Sequence, residues 1–175
     1  MPGLKLIVAG PKGSGKSAIA SYLSGHNEGS IKIDQYNPTA GVRILEFDTP
    51  VKGANEPVSV ELWDASGDHA YENCWKAIMQ DADGVILIYN PDSPGQDQQL
   101  GDWFEFFVRK NGLKDEQCIA IAFRTAQESA ERFRPPPLFS KVTAALQTAA
   151  NSQEIKEMFS GFMKSLSTLN QRSRK

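Results

Sequence analysis

Residues Gly10-Pro11-Lys12-Gly13-Ser14-Gly15-Lys16-Ser17 constrain this chain more than any other stretch. Two glycines separated by four residues and followed by Lys-Ser form the phosphate-loop pattern. Its flanks agree with it. Leu4, Leu6, Ile7, Val8 and Ala9 read as a buried strand of a parallel sheet, and Ala18, Ile19, Ala20, Tyr22 and Leu23 as the first turns of a helix. A strand, a glycine-rich turn and a helix start make an anion site, because backbone N–H groups converge on the ligand and the helix N-terminus adds its positive end. Lys12, Gly13, Ser14, Gly15, Lys16, Ser17 and Ala18 are therefore the candidate phosphate cradle. Lys16 brings a point charge to the distal phosphates, and the Ser17 hydroxyl is a ligand for Mg²⁺.

The rest of the chain supplies the sheet that such a turn needs. His26 to Ala40 is polar, is broken by Gly29 and Pro38, and reads as a loop. A strand is predicted over 41–48, a hairpin loop over 50–57, and a strand with one wetter face over 58–63. These two strands read as an antiparallel edge pair on an otherwise parallel sheet. A short helix over 71–80 places Tyr71, Cys74, Trp75, Ile78 and Met79 on one side. The almost continuously apolar run 84–89 is the candidate for the sheet centre. A turn containing Pro91, Asp92, Pro94 and Gly95 precedes an aromatic-rich helix over 99–109, with Gly112 where its C-terminus would stop. A fifth strand is predicted over 118–123.

Beyond it the pattern weakens. Residues 126–133 fit one or two helical turns, Arg134-Pro135-Pro136-Pro137 enforces an extended segment, and 141–148 holds a sixth strand weakened by Ala144 and Ala145. Ile155, Met158, Phe159, Phe162, Met163, Leu166 and Leu169 are spaced as one face of a last helix, with Ser152 or Asn151 as its N-cap. The alternation predicts one three-layer α/β domain over 1–170, with about six mostly parallel strands and one antiparallel edge strand. Residues 171–175 are expected to form a flexible basic tail.

Composition narrows the chemistry. A net charge of -2 does not point to nucleic acid or another polyanion. With only His26 and His69, no histidine-based metal cluster is expected. Cys74 and Cys118 both fall in predicted elements, so both are expected as buried free thiols in a reducing, cytosolic setting. The sequence shows no signal peptide, membrane-length apolar run or lipidation motif, so membrane association is expected only through a partner.

Two later features gain meaning beside the phosphate loop. Asp64 ends an apolar strand, at the sheet edge where α/β domains bind ligands, and a carboxylate there holds Mg²⁺ directly or through water. Gly67 lets a backbone N–H approach a terminal phosphate. Thr39, in the loop before the second strand, has a hydroxyl able to close over the same ion.

The order phosphate loop, Pro38-Thr39-Ala40-Gly41, Trp63-Asp64-Ala65-Ser66-Gly67 resembles the Ras-like small GTPases. The segment Pro38-Thr39-Ala40-Gly41-Val42-Arg43-Ile44-Leu45-Glu46-Phe47, with Glu61-Leu62-Trp63-Asp64 and Cys74-Trp75, is similar to the atypical Rab-like family that supplies a subunit of intraflagellar transport complex B. The resemblance implies a small-GTPase fold of the phosphate-loop NTPase type. It also implies GTP or GDP bound with Mg²⁺, Ser17 and Thr39 as metal ligands, and Asp64 holding the ion through water. Gly67 would sense the terminal phosphate, and residues 27–41 and 65–80 would be the two switch regions. The implied partner is a coiled-coil heterodimer of the transport complex core, met through the switches and nearby aromatics. Tyr71, Trp75 and Trp103, with Phe47 and Trp63, are the candidate anchors. The chain alone is expected to be a monomer, located in the cytoplasm and at the ciliary or flagellar base and axoneme.

Departures from the family pattern matter as much. Lys12 stands where glycine is usual, and Asp68 where a glutamine usually orients water, so slow hydrolysis is expected. Lys12 is left with two roles, reaching back to phosphate or projecting toward a partner. The guanine-reading Asn-Lys-x-Asp motif is replaced by Phe123-Arg124-Thr125-Ala126. The stem of Arg124 is expected to stack on the base, Glu128 is the one carboxylate near enough to fold back, and Thr148-Ala149-Ala150 replaces the usual last loop. Weak to moderate GTP/GDP affinity follows, with ATP as a competitor. The alternatives are a hydrolytic switch completed by a partner and a structural adaptor with a vestigial site. A small-molecule kinase is disfavoured by the Pro-Thr-x-Gly and Trp-Asp-x-x-Gly motifs.

Overall fold

The computed structural model describes residues 3–27, 31–32, 37–51, 53–124, 134–148 and 152–173, with side chains described up to residue 170. Its strands are β1 (Leu4–Ala9), β2 (Val42–Thr49), β3 (Val58–Ala65), β4 (Gly84–Tyr89), β5 (Cys118–Arg124) and β6 (Thr143–Thr148). They form one sheet in the order β2-β3-β1-β4-β5-β6. Only β2 runs antiparallel, against β3, and the other neighbouring pairs are parallel. The helices are α1 (Lys16–Leu23), α2 (Glu72–Met79), α3 (Gln96–Phe104) and α4 (Ser152–Ser173). The predicted α/β fold class and the antiparallel edge pair are thus both present.

The period-two geometry of a strand sorts each apolar run between two cores. Leu4, Leu6 and Val8 of β1, Ile86 and Ile88 of β4, and Ile119, Ile121 and Phe123 of β5 face one layer, with Ile19 and Ala20 of α1 and Ile155, Phe159 and Phe162 of α4. Ile7 and Ala9, Val85 and Leu87, and Ala120 and Ala122 face the other layer, with Trp75 and Ile78 of α2 and Leu100, Trp103 and Phe107 from α3 and its extension. A strand buried on both faces needs apolar residues at every position, which is why β4 shows no alternation.

Some boundaries move, each for a local reason. A 3₁₀ turn at His69–Tyr71 precedes α2, closed by the Asp68 carboxylate accepting the Ala70 N–H at 2.9 Å. α3 starts at Gln96, three residues before the apolar pattern shows it, because the Gln96 side chain accepts the Asn90 N–H at 2.7 Å and closes the preceding turn. The helix then continues through a π turn at Glu105–Arg109. β6 forms despite Ala144 and Ala145, since its backbone pairs with β5 from Thr143 to Thr148. Strand preference is set by such pairing more than by the residues alone. Ser152 is the first residue of α4, and the other proposed cap, Asn151, lies outside the described residues. So do the expected turns at 126–133. The backbone of α4 is helical to Ser173.

The thiols need a correction. Cys118 is buried in β5, but Cys74 is exposed and both are free. α2 buries Trp75, Ile78 and Met79, and its eight residues turn Cys74 outward beside Asn73 and Ala77.

Candidate functional site

The loop after β1 leads into α1 through Gly15, whose φ of 92° lies in the left-handed region. A Cβ there would also stand 2.5 Å from the Phe123 ring, so only glycine fits between the turn and the end of β5. Lys16 is buried at the helix start and its Nζ donates to the Pro11 carbonyl at 2.7 Å. Burial lowers its pKa to about 8, partly opposed by the charge of Asp64. A phosphate brought next to this desolvated ammonium would meet a cation poor in competing partners. Gln96 links this loop to the turn after β4, donating to the Lys12 carbonyl at 3.1 Å and accepting the Asn90 N–H.

Three oxygens converge beside the loop. Ser17 Oγ lies 2.9 Å from Thr39 Oγ1, and Thr39 Oγ1 donates to Asp64 Oδ2 at 3.4 Å. Asp64 is fully buried within β3, where burial raises its carboxyl pKa against the pull of Arg43 and Lys16. Its Oδ1, and the Oγ of buried Ser14, have no hydrogen-bond partner among the described residues. Buried oxygens of this kind are rare unless a ligand, ion or water satisfies them. The set fits Mg²⁺. It is all oxygen, and adjacent corners of an octahedron with ~2.1 Å bonds are ~3.0 Å apart, close to the Ser17–Thr39 separation. Gly67 closes the other side. A Cβ on it would stand 2.6 Å from the Lys12 N and the Lys16 Nζ, which places its backbone directly against the phosphate loop.

These groups open onto one cavity of about 780 Å³, within the size range of small-molecule sites. Lys12, Gly13, Ser14, Gly15, Lys16, Ser17, Ala18, Thr39 and Gly67 all line it, with Asp64 buried beneath. Arg124 Nε donates to Asp92 at 2.7 Å, and its neighbour Phe123 lines the cavity. Thr125, Ala126, Glu128, Ala149 and Ala150 lie outside the described residues, as do 28–30 and 33–36 of the first switch. Lys12 and Asp68, two of the departures from the family pattern, meet each other, Nζ to Oδ2 at 3.5 Å. The Ala70 N–H, with help from Lys12, holds the Asp68 carboxyl below the usual range.

Arg43 is the main residue of the site that the sequence reading passed over. Its guanidinium donates to the Ser17 carbonyl at 3.1 Å and the Ser21 hydroxyl at 2.9 Å, and lies 3.3 Å from Asp64 Oδ2. The signal was there: Arg43 shares strand parity with buried Leu45, so a charge occupies an inward-facing position. Two candidate anchors also move. Trp75 and Trp103 are buried, their rings 4.7 Å apart and both packed on Phe107.

The family model described as Ras of Complex, Roc, domain of DAPkinase matches residues 5–125. The intraflagellar transport protein 22 homolog of Danio rerio is 41% identical over 135 residues, covering 75% of this chain and 71% of the relative. The Homo sapiens homolog is 33% identical over 168 residues, covering 93% and 89%. Among solved structures, the GTP-bound T. brucei IFT22/74/81 complex gives a TM-score of 0.78 at 22% identity, over 97% of this chain and 98% of that one. GDP-bound T. brucei IFT22 gives 0.73 at 23% identity, over 94% and 96%. The two structures speak for the fold, and the sequence relatives speak for descent: the chain belongs to the intraflagellar transport protein 22 family, with a Ras of Complex type of domain over residues 5–125.

Proposed function

We propose that this protein is an atypical small GTPase-like subunit that binds GTP or GDP with Mg²⁺ and, in its GTP form, docks onto the coiled-coil core of intraflagellar transport complex B. The observation that carries the reading is the convergence of Ser17, Thr39, Asp64 and Gly67 on Lys16 at the mouth of one cavity. Backbone N–H groups of the loop and the start of α1 bind the phosphates, and Lys16 neutralises the distal ones. Ser17 and Thr39 would hold the metal, with Asp64 beneath them. Mg²⁺, when bound, compensates phosphate charge. Because Thr39 belongs to the first switch and Gly67 to the second, occupancy of the site biases the shape of both.

Hydrolysis is slow in this reading. Asp68 presents a carboxylate, already engaged by the Ala70 N–H and Lys12, where an amide would orient water. Affinity is low to moderate and base selectivity reduced, with ATP admitted as a competitor, since Phe123-Arg124-Thr125-Ala126 stands in the sequence where the guanine-reading motif is usual. The docking face is the first switch with β2 and β3. There Ile44 is 46% exposed, cross-strand from half-buried Trp63, with half-buried Tyr71 of the second switch as a further contact. In this reading the assembly acts at the ciliary or flagellar base and axoneme, in keeping with membership of an intraflagellar transport family.

The test has two parts. Nucleotide released from freshly purified protein is identified, and affinities for GTP and ATP are compared. GTP or GDP as the retained species with less than ordinary guanine preference supports the reading, and strong guanine selectivity overturns the base-pocket part. Ser17→Asn is then assayed for nucleotide content and for capture of the coiled-coil heterodimer. Undiminished capture after nucleotide loss overturns nucleotide dependence and leaves a structural adaptor.

A further inference from the structure

Arg43 reaches three elements at once. It projects from β2, hydrogen-bonds two successive turns of α1 through Ser17 O and Ser21 Oγ, and lies 3.3 Å from the Asp64 carboxylate on β3. The sheet register sets this up, because Arg43 stands directly opposite Asp64 in the antiparallel pair. The guanidinium also lines the nucleotide cavity, so it occupies the edge of the site. A fully buried carboxylate in an all-oxygen metal site ordinarily depends on the ion for its compensating charge. Here a fixed cation with a geometry suited to several acceptors supplies part of that charge from the chain itself.

We propose that Arg43 is a built-in cation of the metal site, which makes nucleotide binding by this protein only weakly dependent on Mg²⁺. The proposal rests on the nucleotide-site reading above and adds a residue to it. Two effects act in the same direction. Without the metal, Arg43 keeps the Asp64 charge paired and keeps β2, and with it the segment carrying Thr39, joined to α1. With the metal, the guanidinium repels the incoming dication and weakens its contribution. Both shrink the ratio of affinities measured with and without Mg²⁺. An ion pair that only braces β2 would stabilise the fold and leave that ratio unchanged.

The experiment is equilibrium binding of a fluorescent GDP analogue to the full chain, in Mg²⁺ and in EDTA, for the parent protein and Arg43→Gln. The parent should lose less than about tenfold in affinity on metal removal, and Arg43→Gln at least about tenfold more than the parent, the scale of hydrogen bonds to charged groups. A parent loss above that limit overturns the proposal without any variant, so a poorly folding Arg43→Gln does not shield it. An unchanged ratio in a folded Arg43→Gln also overturns it. Either result with binding intact in Mg²⁺ leaves the nucleotide site standing. Absence of binding in both conditions removes that reading and this one together.

Discussion

Gly67 has no room for a methyl group. The atoms a Cβ would meet are the Lys12 N at 2.6 Å, the Lys16 Nζ at 2.6 Å and the Gly10 carbonyl at 2.7 Å, and two of the three are backbone that cannot rotate away. Gly67→Ala must therefore push the second switch off the phosphate loop. GTP affinity should fall by about tenfold or more, as expected when a charged hydrogen bond is lost, with GDP less affected, measurable by competition binding. The thiols give a second residue-scale contrast. Cys118 is 1% exposed and burial pushes its pKa far above the ordinary thiol range, whereas Cys74 is exposed. Iodoacetamide should modify Cys74 alone in the native protein and both thiols in denaturant, read by peptide mass; labelling of Cys118 at the same native rate would contradict the packing of β5. At this scale the sequence was legible where a motif names its own chemistry, as in Lys16, Ser17 and Asp64. It was less so where function depends on a partner far along the chain. Arg43 needed the register with Asp64, Phe123 needed the contact with Gly15, and the outward turn of Cys74 needed the rotation of α2 about its axis.

Among the elements, β2 is the one whose two faces disagree with its place at the sheet edge. One face carries Arg43, Leu45 and Phe47 toward α1 and α4, with the Phe47 ring 6.2 Å from that of Phe159. The other presents Ile44 beside Trp63, which Lys5 covers from its other side with Nζ 3.7 Å from the ring centroid. Ile44 is the large apolar side chain that β2 leaves exposed. Here it adjoins the first switch, which makes the coiled-coil partner the candidate cover. Ile44→Asp should weaken capture of the heterodimer by about tenfold or more, the scale of an interface hot spot, while nucleotide affinity and melting temperature stay near the parent's. Unchanged capture would move the docking face away from β2. The elements themselves were largely legible, because β1, β3, β4 and β5 bury apolar residues in patterns that periodicity detects. β6 was faint because its hydrogen bonds to β5, and not its alanines, make it a strand. The start of α3 was hidden because a glutamine side chain closes its first turn. The docking face was misassigned in part because Trp75 and Trp103 look like anchors in sequence, yet they hold α2 to α3 in the core.

Across the whole molecule, the loops after β1 and β3 bring Lys12 and Asp68 together over the cavity, joining the two residues that depart from the small-GTPase pattern where hydrolysis takes place. The pairing explains why changing either alone should do little. Lys12→Gly leaves the Asp68 carboxylate without its cation, still accepting the Ala70 N–H, and its charge is repelled by the phosphates instead of orienting a water. Asp68→Gln leaves the Lys12 side chain in the space that the family keeps clear. The double change Lys12→Gly with Asp68→Gln restores both an open loop and an amide able to orient water. Single-turnover GTP hydrolysis at saturating protein should then rise by about tenfold or more over the parent, with each single variant well below the double. A double variant as slow as the parent would place the deficit outside this pair, in groups that a partner supplies, and would favour the hydrolytic switch completed by a partner over a subunit that docks in its GTP form with slow turnover.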